Sequence, residues 1–317
     1  MDKPNLLTAM QVREALQQGL ISSMDLVNAC FERIDEVEES IGAWAHLDKA
    51  LALEQARQAD DFRRRGLALG PLHGIPVGIK DIIDTFDYPT ERGSVIYQGR
   101  TPSRDATLVA LLREAGAIIL GKTVTTELAV MAPGKTTNPH NIAHTPGGSS
   151  SGSAAAVAAG MVPLSVGTQT NGSVIRPASY CGVYGFKPSF GRISRHLVMT
   201  QSEPLDTIGV FARSLEDLAL IADVLMRFDS RDHAMQPMAA PAIASIMAQT
   251  PPLDPHFAFV RTPMWEQLED SSKDGLRELI DSVNQEDKGV IDIIDLPAMF
   301  NDIYQDHQNI MEADLAR

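Results

Sequence analysis

The sequence predicts an α/β fold in which helices cover a layered β-sheet. Helical segments alternate with short apolar runs between about residue 75 and residue 225, which is typical of strand–helix–strand units. Glycines stand at the ends of several of these helices and therefore mark the boundaries. The chain has 317 residues, 44% of them hydrophobic, which is enough to bury a large core.

Composition and charge exclude several classes of protein. A net charge of −14 argues against binding to nucleic acid, which requires a basic face. Two cysteines form no disulfide framework and indicate a reducing compartment. The first residues show no signal-peptide pattern, and no stretch is apolar enough to span a bilayer. We therefore expect a cytoplasmic protein without nucleic-acid or membrane partners.

Three helices are predicted in residues 1–66. Apolar residues recur at helical spacing in residues 8–18 and 23–38, and Ser22 or Ser23 suits the cap of the second helix. Residues 48–65 form an alanine-rich third helix that Gly66 ends. This N-terminal part is expected to pack as a helical layer.

Residues 67–228 are predicted to form the core of the domain. Residues 75–80 read as a buried strand, and Asp105 is expected to cap the helix at 106–115. Ser214 begins a helix in the manner of a capping box. The remaining predicted elements are a helix at 153–160 and strands at 117–121, 161–167, 183–187 and 207–211.

Residues 229–317 are predicted to be a variable part of the same single domain, 1–317. The proline- and methionine-containing segment 229–255 has weak periodicity and is expected to be a surface connection with at most a short helix. Strands are predicted at 257–260 and 290–295, with a helix at 274–284 between them and a helical segment from residue 299.

A turn at residues 170–173 brings Ser173 to the start of a helix. Main-chain N–H groups at such a turn point outward and can hold a developing oxyanion. A serine nucleophile needs a base, and none of the histidines lies in a convincing local motif. Lys80 is the other candidate: at the end of an apolar strand, burial can lower its pKa by ~3 units. Equally, Lys80 can extend to the surface and pair with an acid.

The glycine-serine loop at 147–152 has two competing interpretations. Residues 148–152 satisfy G-x-S-x-G, the nucleophile elbow of α/β-hydrolases, but that motif needs a strand directly before it. A phosphate-binding loop needs a Gly-Lys-Ser/Thr ending, which this segment lacks. A flexible linker is a third possibility, although the loop leads directly into a strong helix.

Four segments together resemble the amidase signature family. Residues 146–160 (PGGSSSGSAAAVAAG) and 167–189 (GTQTNGSVIRPASYCGVYGFKPS) carry the likeness most specifically. PLHGIPVGIKDIID at 71–84 and the block at 105–129 extend it, and it covers roughly residues 5–230. The resemblance implies a mixed β-sheet with helices on both faces. Family members usually continue with further C-terminal strands, which this chain is expected to lack.

The resemblance also implies a Ser-cisSer-Lys triad. Ser173 matches the nucleophile, Ser149 the bridging serine that follows a non-prolyl cis peptide bond, and Lys80 the base. Arg176 is expected either to meet a substrate carboxylate or to form a structural ion pair. Ser151 stands where glycine is common in the family, as does Asn171. The implied oxyanion donors are the N–H groups of Thr170, Asn171, Gly172 and Ser173.

The expected activity is hydrolysis of a small-molecule carboxylic amide through a Ser173 acyl-enzyme. No metal and no organic cofactor are predicted, and a homodimer is a possibility at the level of the family. Two alternatives remain. One is the A-type subunit of a glutamyl-tRNA amidotransferase, which works with partner subunits. The other is a truncated chain that keeps the motif without catalysis.

Overall fold

A computed structural model describes residues 3–285 and 290–316. The chain forms two compact units, Met1–Met247 and Ala248–Arg317. The division falls after residue 247 and not at 229, because the helix Ile243–Met247 is attached to the first unit. The N–H groups of Ile243 and Ala244 donate to the carboxylate of Asp223, and Ile243 packs against the core of that unit.

The first unit begins with the three predicted helices, α1 (Ala9–Gln18), α2 (Ser23–Ile41) and α3 (Lys49–Arg64). Thr8 and Gln11 form a reciprocal capping box on α1. Ser22 and Asp25 do the same on α2, and these contacts fix where both helices start. The strand β1 (Trp44–Leu47) between α2 and α3 was not predicted, because four residues are too few to show a period.

The first unit is built on a six-stranded mixed sheet, ordered β1-β3-β2-β4-β6-β5. The central strand β2 runs parallel to both its neighbours, β3 and β4, and the other pairings are antiparallel. Every residue of β2, β3, β4 and β6 is buried, so these strands read as apolar runs. The strands after β1 are Pro76–Lys80, Ile118–Thr123, Leu164–Gln169, Tyr184–Phe186 and Thr207–Ala212.

Helices pack on this sheet and confirm the predicted fold class. Helix α5 (Ser151–Ala158) is buried along nearly its whole length, and its small side chains allow close contact with four strands. A Cβ at Gly152 would lie 2.2 Å from the carbonyl oxygen of Ala43, so only glycine fits there. The other helices are α4 (Thr107–Glu114), α6 (Ile175–Cys181), α7 (Leu215–Leu225) and α8 (Ile243–Met247).

The prediction that Asp105 caps α4 was wrong. The cap residue is Ala106, which makes no side-chain cap. The carboxylate of Asp105 instead accepts hydrogen bonds from the N–H of Phe86 and from the guanidinium of Arg113, 2.9 Å away. The ion pair and the loop contact therefore take the oxygens that a cap would use.

The second unit contains a two-stranded parallel sheet. Strands β7 (His256–Arg261) and β8 (Val290–Asp295) pair along their full length. Helix α9 (Asp270–Gln285) lies between them in the chain, and α10 (Ile303–Leu315) follows β8. The strand and helix predictions for this part are confirmed, with the ends moved by a few residues.

Candidate active site

Lys80 ends β2 with its side chain inside the protein. The amine is completely buried, and its Nζ lies 2.7 Å from Ser149 Oγ and 2.8 Å from Thr168 Oγ1. No carboxylate lies within ion-pair distance of this Nζ among the described residues, so Lys80 neither reaches the surface nor pairs with an acid. Burial lowers the pKa of Lys80 to about 7, although the charge of Asp206 acts in the opposite direction.

Ser149 sits in the loop that leads into α5. The peptide bond between Gly148 and Ser149 is cis. The Ser149 carbonyl accepts the N–H of Thr126, which joins this loop to the segment that follows β3. The next two serines are structural: Ser150 exchanges hydrogen bonds with the main chain of Thr168, and Ser151 donates to Val124 O. These bonds attach the loop to the ends of β3 and β4, which excludes the flexible-linker interpretation.

The turn before α6 carries Ser173, which is itself buried. The side chain of Gln169 shapes this turn: its Oε1 accepts the N–H groups of Val174 and Ile175, and its Nε2 donates to Asn171 O. The N–H of Gly172 donates to Asn171 Oδ1 at 2.5 Å. The described part of the chain offers no hydrogen-bond acceptor to the N–H groups of Asn171 and Ser173, which leaves two main-chain donors at the nucleophile turn.

Ser149 and Ser173 lie on neighbouring loops. Within residues 3–285, no hydrogen bond joins their side chains. Hydrogen bonds between catalytic groups are commonly longer in the absence of substrate and shorten in the complex. A proton transfer between the two hydroxyls therefore requires the turn at 170–173 to move closer to the loop at 147–152.

Arg176 connects those two loops. One guanidinium nitrogen donates to Gly148 O at 3.1 Å, and another donates to Asn171 Oδ1 at 3.1 Å. A Cβ at Gly172 would lie 2.6 Å from Arg176 Nη2, so the glycine lets the guanidinium approach the turn. Within the described ranges Arg176 forms no ion pair, so the ion-pair alternative from the sequence is not found.

A second buried lysine lies one strand away. Lys122 on β3 is fully buried, and its Nζ is 3.4 Å from Asp81 Oδ1 and 2.9 Å from the carbonyl oxygen of Ile83. Burial lowers the pKa of Lys122 to about 8, with Asp81 opposing the shift. Burial also raises the pKa of Asp81. The sequence contained no signal for this pair, because Asp81 and Lys122 are far apart along the chain.

Three further residues of the site were not predicted, namely Thr126, Thr168 and Gln169. Thr168 and Gln169 end a buried strand, where polar residues also occur for structural reasons, and Thr126 lies in a loop that no local pattern marks. Among the residues that the structure describes, no group of three or more His, Cys, Asp or Glu side chains could hold a metal ion. In that same part of the chain, no helix is long and apolar enough to cross a membrane.

The site combines a buried amine, two serines and a turn with main-chain donors on a mixed sheet. A family model described as Amidase matches residues 25–305, and the chain belongs to this family, the amidase signature family. The glycine-serine loop is therefore not an α/β-hydrolase elbow.

Curated relatives carry a more particular name, that of the A-type subunit of glutamyl-tRNA(Gln) amidotransferase. The chain is 43% identical over 247 residues to this protein from Chloroflexus aggregans, a match that covers 76% of this chain and 51% of the relative. The corresponding protein of Syntrophus aciditrophicus is 41% identical over 241 residues, covering 74% of this chain and 50% of the relative. The chain thus spans about half the length of the curated relatives it matches.

Solved structures show the same fold. A peptide amidase from Stenotrophomonas maltophilia superposes with a TM-score of 0.85 at 29% identity, over 98% of this chain and 67% of that one. A protein from a vestigial complex linked to the origins of an s-triazine catabolic enzyme gives a TM-score of 0.83 at 30% identity. That match covers 92% of this chain and 64% of the other.

Proposed function

We propose that this chain hydrolyses a small carboxylic amide, with Ser173 as nucleophile, Ser149 as bridge and Lys80 as base. The observation that supports this most directly is the buried Nζ of Lys80 at 2.7 Å from Ser149 Oγ, with no carboxylate partner among residues 3–285 and 290–316. Because burial favours the neutral amine, Lys80 has a lone pair available to take a proton near neutral pH.

The reaction has two steps, acylation and deacylation, and each uses the same proton relay. Ser173 Oγ attacks the amide carbonyl while its proton passes to Ser149, whose own proton passes to Lys80. The main-chain N–H groups of Asn171 and Ser173 in the turn at 170–173 stabilise the oxyanion, since the Gly172 N–H already donates to Asn171 Oδ1. The C–N bond then breaks as the relay returns a proton to the leaving amine. Water hydrolyses the resulting ester of Ser173 by the same route.

An alkyl fluorophosphonate probe tests this proposal. The wild type is expected to label at one serine, and the Ser173→Ala variant is expected to lose the label. Ser179→Ala removes an exposed serine on α6, the helix that follows Ser173, and serves as the matched control, which should label normally. A folded wild type that does not label would support the non-catalytic alternative.

A second candidate is a glutamine-dependent A-type subunit, which the names of the curated relatives favour. In that role the same triad would release ammonia from glutamine for a glutamyl-tRNA, together with partner subunits. Glutaminase activity that appears only with such partners would support this candidate. Hydrolysis of simple amides by the isolated chain would favour the first.

A further inference from the structure

The chain makes an unusual corner directly after β3. Leu128 and Ala129 follow one another with positive φ, +49° and +57°, although neither is glycine. A left-handed backbone is unfavourable for a residue with a Cβ atom. The surrounding contacts must therefore hold the corner in this shape.

Gln201 supplies two of those contacts from its side chain. Its Nε2 donates to the carbonyl oxygens of both corner residues, at 3.2 Å to Leu128 and 2.7 Å to Ala129. Gln201 is buried, so the bonds are protected from water. The carboxylate of Asp206 in turn accepts the N–H of Gln201, which fixes the backbone from which the side chain extends.

The other end of the Gln201 amide faces the nucleophile turn. Thr170 Oγ1 lies 2.8 Å from Gln201 Oε1 and 2.6 Å from Asp206 Oδ1, so the hydroxyl shares its proton between them. The segment with the corner starts at Thr126, whose N–H donates to the Ser149 carbonyl. The corner is thus tied to the bridging-serine loop at one end and to the nucleophile turn at the other.

We propose that Gln201 is a positioning residue that holds the Leu128–Ala129 corner against the turn at 170–173, and that this corner limits the size of the acyl group. Strained backbone persists where surrounding structure enforces it, and such positions cluster at binding and catalytic sites. A rigid corner between the two serine loops rejects bulky groups by contact, whereas a relaxed corner gives way. The inference rests on the proposed amide hydrolysis.

The test compares Gln201→Met with a matched control, Gln55→Met. Gln55 on α3 is half-buried and likewise donates to a main-chain carbonyl, that of Ile119 near the start of β3. The readout is the ratio of kcat/KM for acetyl and benzoyl p-nitroanilides. We expect Gln201→Met to lower this ratio about 10-fold while kcat for the acetyl substrate changes less than about 3-fold. Gln55→Met should leave the ratio unchanged.

Amide hydrogen exchange of residues 127–131 measures how firmly the Leu128–Ala129 corner is held, and it does not depend on enzymatic turnover. Exchange there should be at least 10-fold faster in Gln201→Met than in the wild type and unaffected in Gln55→Met. Unchanged exchange in Gln201→Met would overturn the proposal that Gln201 holds the corner. Turnover with an unchanged ratio would overturn the size filter alone. A wild type that hydrolyses no amide would refute both the proposed function and the limit on acyl-group size. The exchange result would still show whether Gln201 holds the corner.

Discussion

Two fully buried lysines occupy adjacent parallel strands and differ in what surrounds their amines. Lys80 ends β2 between two hydroxyls, those of Ser149 and Thr168. Lys122 on β3 lies 3.4 Å from the carboxylate of Asp81 and donates to main-chain carbonyls. Burial lowers both pKa values, to about 7 for Lys80 and about 8 for Lys122.

The difference shows that burial alone does not make a lysine a base. The Asp81 carboxylate favours the charged form of Lys122, so that amine serves as half of an internal ion pair. In the described part of the chain, Lys80 donates to two neutral hydroxyls, and one of them belongs to Ser149, the proposed bridging serine. The proposed base and the structural lysine therefore differ in the groups that contact their amines, and not in how deeply the amines are buried.

The largest expected effect comes from removing the proposed base. Lys80→Met should lower kcat/KM for a simple amide by about 10⁴-fold or more, because the relay loses its proton acceptor. Thermal unfolding must show that the variant stays folded. Retention of more than a tenth of wild-type activity would remove Lys80 from the mechanism.

The structural lysine should behave in the opposite way. Lys122→Met leaves the Asp81 carboxylate buried without its cation, and we expect the free energy of unfolding in urea to fall by about 3–5 kcal/mol. Adding Asp81→Asn should recover much of the loss, since the amide oxygen still accepts the N–H groups of Glu91 and Gly93. Equal stability of the single and double variants would show that the pair is not coupled.

The pH dependence of activity sharpens the same comparison. Because the neutral amine of Lys80 is the proposed base, kcat/KM should rise about 10-fold per pH unit below a pKa of about 7 and level off above it. The charge of Asp206 raises the pKa of Lys80, so Asp206→Asn should move the rising limb to lower pH. A limb that stays in place or moves upward would contradict this electrostatic role.

The smallest expected effect concerns Arg176. We expect Arg176→Met to lower kcat/KM for neutral amides by about 10-fold, because the hydrogen bonds from Arg176 to the Gly148 carbonyl and to Asn171 Oδ1, which join the two loops, are lost. The exposed Arg104, replaced in the same way, should have no effect. A loss confined to monoamides of dicarboxylic acids would instead assign Arg176 to a substrate carboxylate.

Most elements of the first unit could be predicted from local patterns. Helices with caps at Thr8 and Ser22 and strands such as Pro76–Lys80 carry their signals in consecutive residues. Strand β1 could not be found, because its four residues gain their structure only by pairing with β3. The predicted cap at Asp105 was wrong because the guanidinium of Arg113 and the N–H of Phe86, which lies in another loop, bind its oxygens.

The motif residues themselves were evident in the sequence, whereas their supports were not. Lys80, Ser149 and Ser173 lie in segments with a strong family resemblance. Gln201 and Thr168 contribute through hydrogen bonds to residues more than 30 positions away, and no local pattern marks them.

The sequence by itself determined the alternation of helices and strands, the family and the three triad candidates, because these depend on periodicity and on continuous motifs. Only the tertiary structure decided which groups surround the amine of each lysine and therefore how its pKa is shifted. The pKa of a buried amine depends on how deeply water is excluded and on which groups face it. Those are properties of the packed sheet and its loops, and they arise only when β2, β3 and β4 pair.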